Sequence, residues 1–156
     1  MAQPMDAPPP MPGPGQEFGS WGSRVVAAII DGLPILAVYV VFAVVWGENT
    51  AGGGSVSTNL SGGPFLLFLV IYIAWLVYNW GIKQGSTGQT LGKGVMNIAV
   101  YKTGSTETLG TGLSIGRTIV HIIDGIPCYL GYLWPLWDKE NRTFTDMILD
   151  TRVYKA

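Results

Sequence analysis

The stretch RVVAAIIDGLP, Arg24–Pro34, returns as RTIVHIIDGIP, Arg117–Pro127. Each copy sets an arginine, an aspartate seven residues on and a Gly-x-Pro inside an apolar run. Seven residues make two helical turns, so Arg24 and Asp31 lie on nearly one face, about 10 Å apart along the axis. Arg117 and Asp124 repeat that geometry. The apolar runs decide the fold. Val25–Trp46 and Pro64–Ile82 are each about 20 residues, enough to cross a hydrocarbon core of roughly 30 Å. Only Asp31 interrupts the first run with a charge, near its start.

Composition agrees. Of 156 residues, 48% are hydrophobic and only 12% charged, against about 25% charged in soluble domains. This predicts an integral membrane protein with the lipid bilayer as its first partner. A net charge of −1 with no basic stripe argues against nucleic acid. The single cysteine, Cys128, permits no disulfide or CxxC metal site and is expected to be a small buried thiol. A Pro-rich stretch before the first span, and no A-x-A-like site after it, predict that the span is not a cleaved signal.

Residues 1–17 hold six prolines and read as a disordered or polyproline tail. Residues 18–154 form the membrane domain. The loop GENTAGGGSVSTNLSGG (47–63) has no Lys or Arg, which predicts a flexible external connection. Lys83, Lys93 and Lys102 place residues 83–112 in the cytoplasm. Within them Gly85–Lys93 lacks Walker spacing and reads as a turn, and Val95–Tyr101 reads as a short strand.

The third apolar stretch, Ile115–Trp137, contains Arg117, His121, Asp124, Pro127 and Pro135. Lys139, Arg142, Arg152 and Lys155 after it argue for the cytoplasm, whereas a straight third span would put them outside. A broken, re-entrant or interfacial element reconciles the two. Ala99-Val-Tyr-Lys and Arg152-Val-Tyr-Lys look like matched strands, which pair only if both lie on one side. The expected fold is therefore an all-α integral membrane protein. It has two full transmembrane helices, a third Pro-broken or re-entrant apolar element and a short cytoplasmic strand pair.

The candidate site follows from the cost of burying charge. An acid about a third of the way into the core costs about 2–3 kcal/mol on insertion scales, so Asp31 and Asp124 are expected to face protein and hold a partner. Arg24 and Arg117 serve either as interface anchors or as that partner. Pro34 and Pro127 cannot donate to the carbonyls of Ile30 and Ile123. Carboxylate plus freed carbonyl is hard-oxygen ligation suited to Na⁺ or a similar cation, and a carboxylate alone suits a proton. His121, three residues before Asp124, is a candidate proton relay or a hydrogen-bonded packing residue. If the two copies run in parallel through the membrane, Asp31 and Asp124 reach similar depth and share a proton, a cation or an arginine. No zinc-ligand spacing, cofactor motif or nucleophile–base pair stands out, so no enzyme is expected. Thr143-Phe-Thr-Asp146 has the form of a capping box opening a short helix, Thr145–Leu149.

Arg24-x6-Asp31, Gly88-Gln-Thr-Leu-Gly-Lys93, and Thr143-Phe-Thr-Asp146 with Thr151-Arg-Val occur in this order. Together they resemble the RDD family of small membrane proteins over about residues 18–154. The resemblance maps the family's arginine and two aspartates to Arg24, Asp31 and Asp146, and Asp150 stands where the family often has glycine. It implies a multi-pass protein of a bacterial plasma membrane, for which transport has been proposed. Two functions fit the sequence. One is transport of ions or small solutes around the two intramembrane aspartates, by a homo-oligomer if a pathway is formed. The alternative is a non-transporting accessory or assembly subunit of a larger membrane complex, with the Pro-rich tail as a docking arm.

Overall fold

The structure, a computed structural model, describes residues 17–52, 55–105, 107–126 and 130–156. The Pro-rich residues 1–16 and the turn Pro127–Tyr129, with Cys128, lie outside the described residues. Helix α1 (Trp21–Trp46) runs unbroken through Pro34. A hairpin of β1 (Glu48–Gly52) and β2 (Ser55–Asn59) follows, with Thr50 opposite Ser57. Helix α2 (Gly62–Leu76) continues as a π-helical segment, Val77–Lys83, and then α3 (Gln84–Thr87). Among the described residues, two helices, Trp21–Trp46 and Gly62–Thr87, are long and apolar enough to cross a membrane. Short helix α4 (Leu91–Val95) leads into β3 (Ile98–Lys102). Helix α5 (Gly110–Gly125), α6 (Leu130–Leu133) and a 3₁₀ turn (Trp134–Leu136) make the third, broken apolar element. Helix α7 (Phe144–Ile148) and β4 (Thr151–Lys155) follow.

Two compact units divide this chain: residues up to Asp31 together with Val77–Ala156, and Gly32–Leu76. In the second unit Phe68 meets Tyr39 and Phe42 at 5.6 and 6.0 Å between ring centroids. Most of the unit's other large side chains, such as Val44 at 78% exposure, face outward, as lipid-facing residues do. The first unit has a small core of Ala27, Ile98, Val100, Leu109 and Val153. Its sheet is antiparallel and centred on Val100 opposite Val153. The edge of β4 is extended by residues 17–19, through Gly19 N–H to Val153 O at 2.8 Å and Lys155 N–H to Glu17 O at 2.9 Å. The expected strand pair is thus present.

The repeat continues well past the two motifs. Each copy has a threonine N-cap (Thr90, Thr143), a five-residue helix, and a non-glycine residue in the left-handed region (Asn97 and Asp150, both φ 50) before its strand. Asn and Asp tolerate that conformation best among side-chain-bearing residues, so Asp150 makes the turn that glycine would make. Three local readings are corrected. The strand begins at Ile98, because Val95–Asn97 end a helix and turn out of it. The stretch 85–93 is mostly helical, since Thr90 caps α4 and Gly88, at φ 74, ends α3. The loop 47–63 contains a hairpin, which its glycines and lack of apolar alternation conceal.

A candidate polar clasp

Every motif aspartate is buried and saturated with donors. Asp31 ends the part of α1 that belongs to the first unit. Its Oδ1 accepts from Gly92 N–H at 2.7 Å and Asn79 Nδ2 at 2.9 Å, and its Oδ2 from Thr90 Oγ1 at 2.6 Å. The π-helical segment aims Asn79 inward, where its Oδ1 also accepts from Leu91 N–H at 2.9 Å. Asp31 thus satisfies one of the orphan amides at the start of α4. Asp124 does the same for α7, accepting from Thr145 N–H at 3.1 Å and Thr145 Oγ1 at 2.7 Å. His121 Nδ1 lies 2.6 Å from Asp124 Oδ2, the oxygen that also accepts from Thr145 Oγ1, and the His121 ring stacks on Tyr132 at 5.6 Å.

The arginines reach a third acid. Arg24 Nη1 donates to Asp146 Oδ2 at 2.7 Å and Arg117 Nη2 to Oδ1. Thr143 N–H (3.1 Å) and Thr151 Oγ1 (2.9 Å) donate to the same carboxylate, and Asp146 N–H returns to Thr143 Oγ1, completing the predicted capping box. Burial raises the Asp146 pKa, but the charges of Arg117 and Arg24 outweigh it and hold the carboxyl well below its ordinary range. Among the described residues, Arg24 Nη2 and Arg117 Nε are buried without hydrogen-bond partners.

Lys93 is the counterpart of Asp146 in the first copy. Its ammonium donates to Gln84 Oε1, and Gln84 Nε2 donates to Ser114 Oγ at 2.9 Å. Ser114 Oγ in turn donates to the Trp80 carbonyl at 2.5 Å. Burial lowers the Lys93 pKa well below that of a free lysine, and the Arg117 charge adds to the shift.

The geometry assigns the sequence candidates separate tasks. Arg24, Arg117 and Asp146 come together; Asp31 and Asp124, with His121, each fasten a short helix through their own donors. Ile30 and Ile123 sit on α1 and α5 beside these acids, and Ile123 is 42% exposed. In the sequence, Asn79, Thr90 and Thr145 do not stand out as site residues, and Lys93 stands out only as a topology marker and the end of a motif. The signal that could have found Thr90, Lys93 and Thr145 is the repeated Thr, a seven-residue interval and Asn or Asp before Val-Tyr-Lys. The caps give a first prediction. Thr143→Ala loses a cap, about 1 kcal/mol. Thr90→Ala loses a cap and a buried bond to Asp31, about 2 kcal/mol. Thermal melting of the purified variants should rank them in that order.

An α-helical membrane protein with a pseudo-repeated polar clasp is the class that fold and site define. The chain belongs to the RDD family, whose model matches residues 18–150. It is similar to the proline-rich antigen homolog of Mycobacterium tuberculosis (strain CDC 1551 / Oshkosh), 33% identical over 152 residues, covering 88% of this chain and 63% of that protein. It is also 30% identical to the proline-rich antigen of Mycobacterium leprae (strain TN) over 152 residues, covering 88% and 61%. The chain therefore spans less than two thirds of the length of these relatives. No solved structure matches it.

Proposed function

We propose that the protein is a non-transporting accessory or assembly subunit of a larger complex in a bacterial plasma membrane. The reading rests on one observation. Asp31, Asp124 and Asp146 are at most 1% exposed, and each is filled by N–H and O–H donors, the opposite of what a cation offers. A solute path needs acids that a solute reaches. The basic residues of 83–112 and 139–155 support placing both ends of the first unit in the cytoplasm. No catalytic step is part of this reading.

Transport keeps one supporting observation. His121, paired with Asp124, is 26% exposed, so it is the titratable motif group nearest to solvent. A melting series of the purified protein in Na⁺, K⁺ and choline, over several pH values, separates the two readings. The subunit reading expects identical melting in all three cations for the wild type and for Asp31→Asn, whose melting is lower but equally indifferent to the cation. Cation-dependent stabilisation of the wild type that Asp31→Asn or Asp124→Asn abolishes would restore transport. Purification in mild detergent should also recover a stoichiometric partner.

A further inference from the structure

The short helices α4 and α7 each contain one charged residue, and each turns it inward. Lys93 donates to Gln84, and Asp146 lies between two arginines. What they turn outward is apolar: Val95 is 61% exposed, Met147 38% and Ile148 55%. Val95 and Ile148 occupy the same position in the two copies. A helix at the surface of a soluble domain is arranged the other way, with charge outside and apolar residues in the core.

Depth gives the second argument. Beyond Asp31, α1 has only Gly32–Trp46, about 22 Å at 1.5 Å per residue. A hydrocarbon core of roughly 30 Å needs about 20 residues, so the turn Ala27–Asp31 also lies at hydrocarbon depth. Helix α4 is fastened at that level, by Gly92 N–H to Asp31 and by close backbone contact of Gly92 with Ala27. On α1, Val26 and Ile29 point outward there. Helix α7 is fastened in the same way to Asp124 of α5, where Ile119, Ile122 and Ile123 are exposed.

We propose that Val95 of α4 and Met147–Ile148 of α7 insert into the cytoplasmic leaflet as a matched pair of apolar tips. The occupant of this surface is phospholipid acyl chain. It extends the lipid-facing surface of α1 and α5 and asks for area rather than directed bonds. The inference rests on the membrane reading and not on the choice between subunit and transporter.

The test uses spin labels on the full chain in phosphatidylcholine–phosphatidylglycerol vesicles, with Cys128 replaced by serine. Labels go at Val95→Cys and Ile148→Cys, with Val44→Cys as lipid reference and Lys139→Cys as water reference. Both test labels should collide several-fold more with oxygen, relative to a nickel chelate, than the Lys139 label does. If the Val44 label reads lipid while either test label behaves as at Lys139, the paired tips are overturned. A test label shielded from both reagents overturns them too, since a protein partner or second copy then covers the surface. If the Val44 label itself reads water, the membrane reading fails. Each labelled variant should melt like the Cys128→Ser parent; one that does not is replaced by Val95→Trp or Ile148→Trp, read by the quenching from brominated lipid that it adds to that of the parent's six tryptophans, with the same two outcomes.

Discussion

Replacing Asp146 with alanine should cost about 3–5 kcal/mol, the range for breaking a buried ion pair while its partner stays buried. Here two partners remain. Arg24 and Arg117 both lose their carboxylate, and each already has one buried nitrogen without a hydrogen-bond partner among the described residues. Thr143 and Thr151 lose an acceptor as well. Asp146→Asn keeps the shape and some bonds, so it should fall between alanine and wild type. The effect carries a pH signature. Folding lowers this pKa, so the stabilisation is complete above the unfolded value near 3.9 and fades as pH falls below it. Melting of the wild type should lose stability through that acid range, and the alanine variant should lose less.

Gly92→Ala should be comparably severe for a steric reason. A Cβ at this position would lie 1.9 Å from the Ala27 carbonyl oxygen and 2.7 Å from its carbon. Both are backbone atoms of α1, so no side chain can yield. Helix α4 must move away, which lengthens the Gly92 and Thr90 bonds to Asp31. Overpacking alone costs about 1–3 kcal/mol, and each buried bond lost adds about 1–3 kcal/mol. Gly94→Ala is the control, because its added Cβ would have only the Gln89 side chain near it, at 3.7 Å. That variant should melt at or slightly above the wild type, since alanine favours a helix. Equal melting of the two variants would show that α4 does not press on α1.

The spans were legible because lipid contact is a property of each residue alone, and a long apolar run needs no knowledge of its neighbours. The strand pair was legible because both strands carry Val-Tyr-Lys. The partnering of charges was not. Arg24 and Asp146 are 122 positions apart, and the local motif offered nearer acids that lie two turns away along the axis. The Asp31 site was hidden for a similar reason. Its donors come from the π-helical Asn79 and from Thr90 and Gly92, in a stretch whose glycines suggested a turn. Local sequence described α4 poorly because its first turn is completed by an aspartate from another helix.

The position of β4 has a consequence for how the protein is made. It pairs with β3 on one side and with residues 17–19 on the other, and Asp146 just before it joins Arg24 to Arg117. All of these partners leave the ribosome earlier than β4 does. Both long apolar helices are therefore handed to the insertion machinery while Arg24 of α1 and Arg117 of α5 still lack their shared carboxylate. Such contacts between distant segments form late, after the loop between them has closed. The nascent protein passes through an interval in which its helices are inserted but its clasp is open. A chaperone or protease that senses unpaired arginines has that interval in which to act.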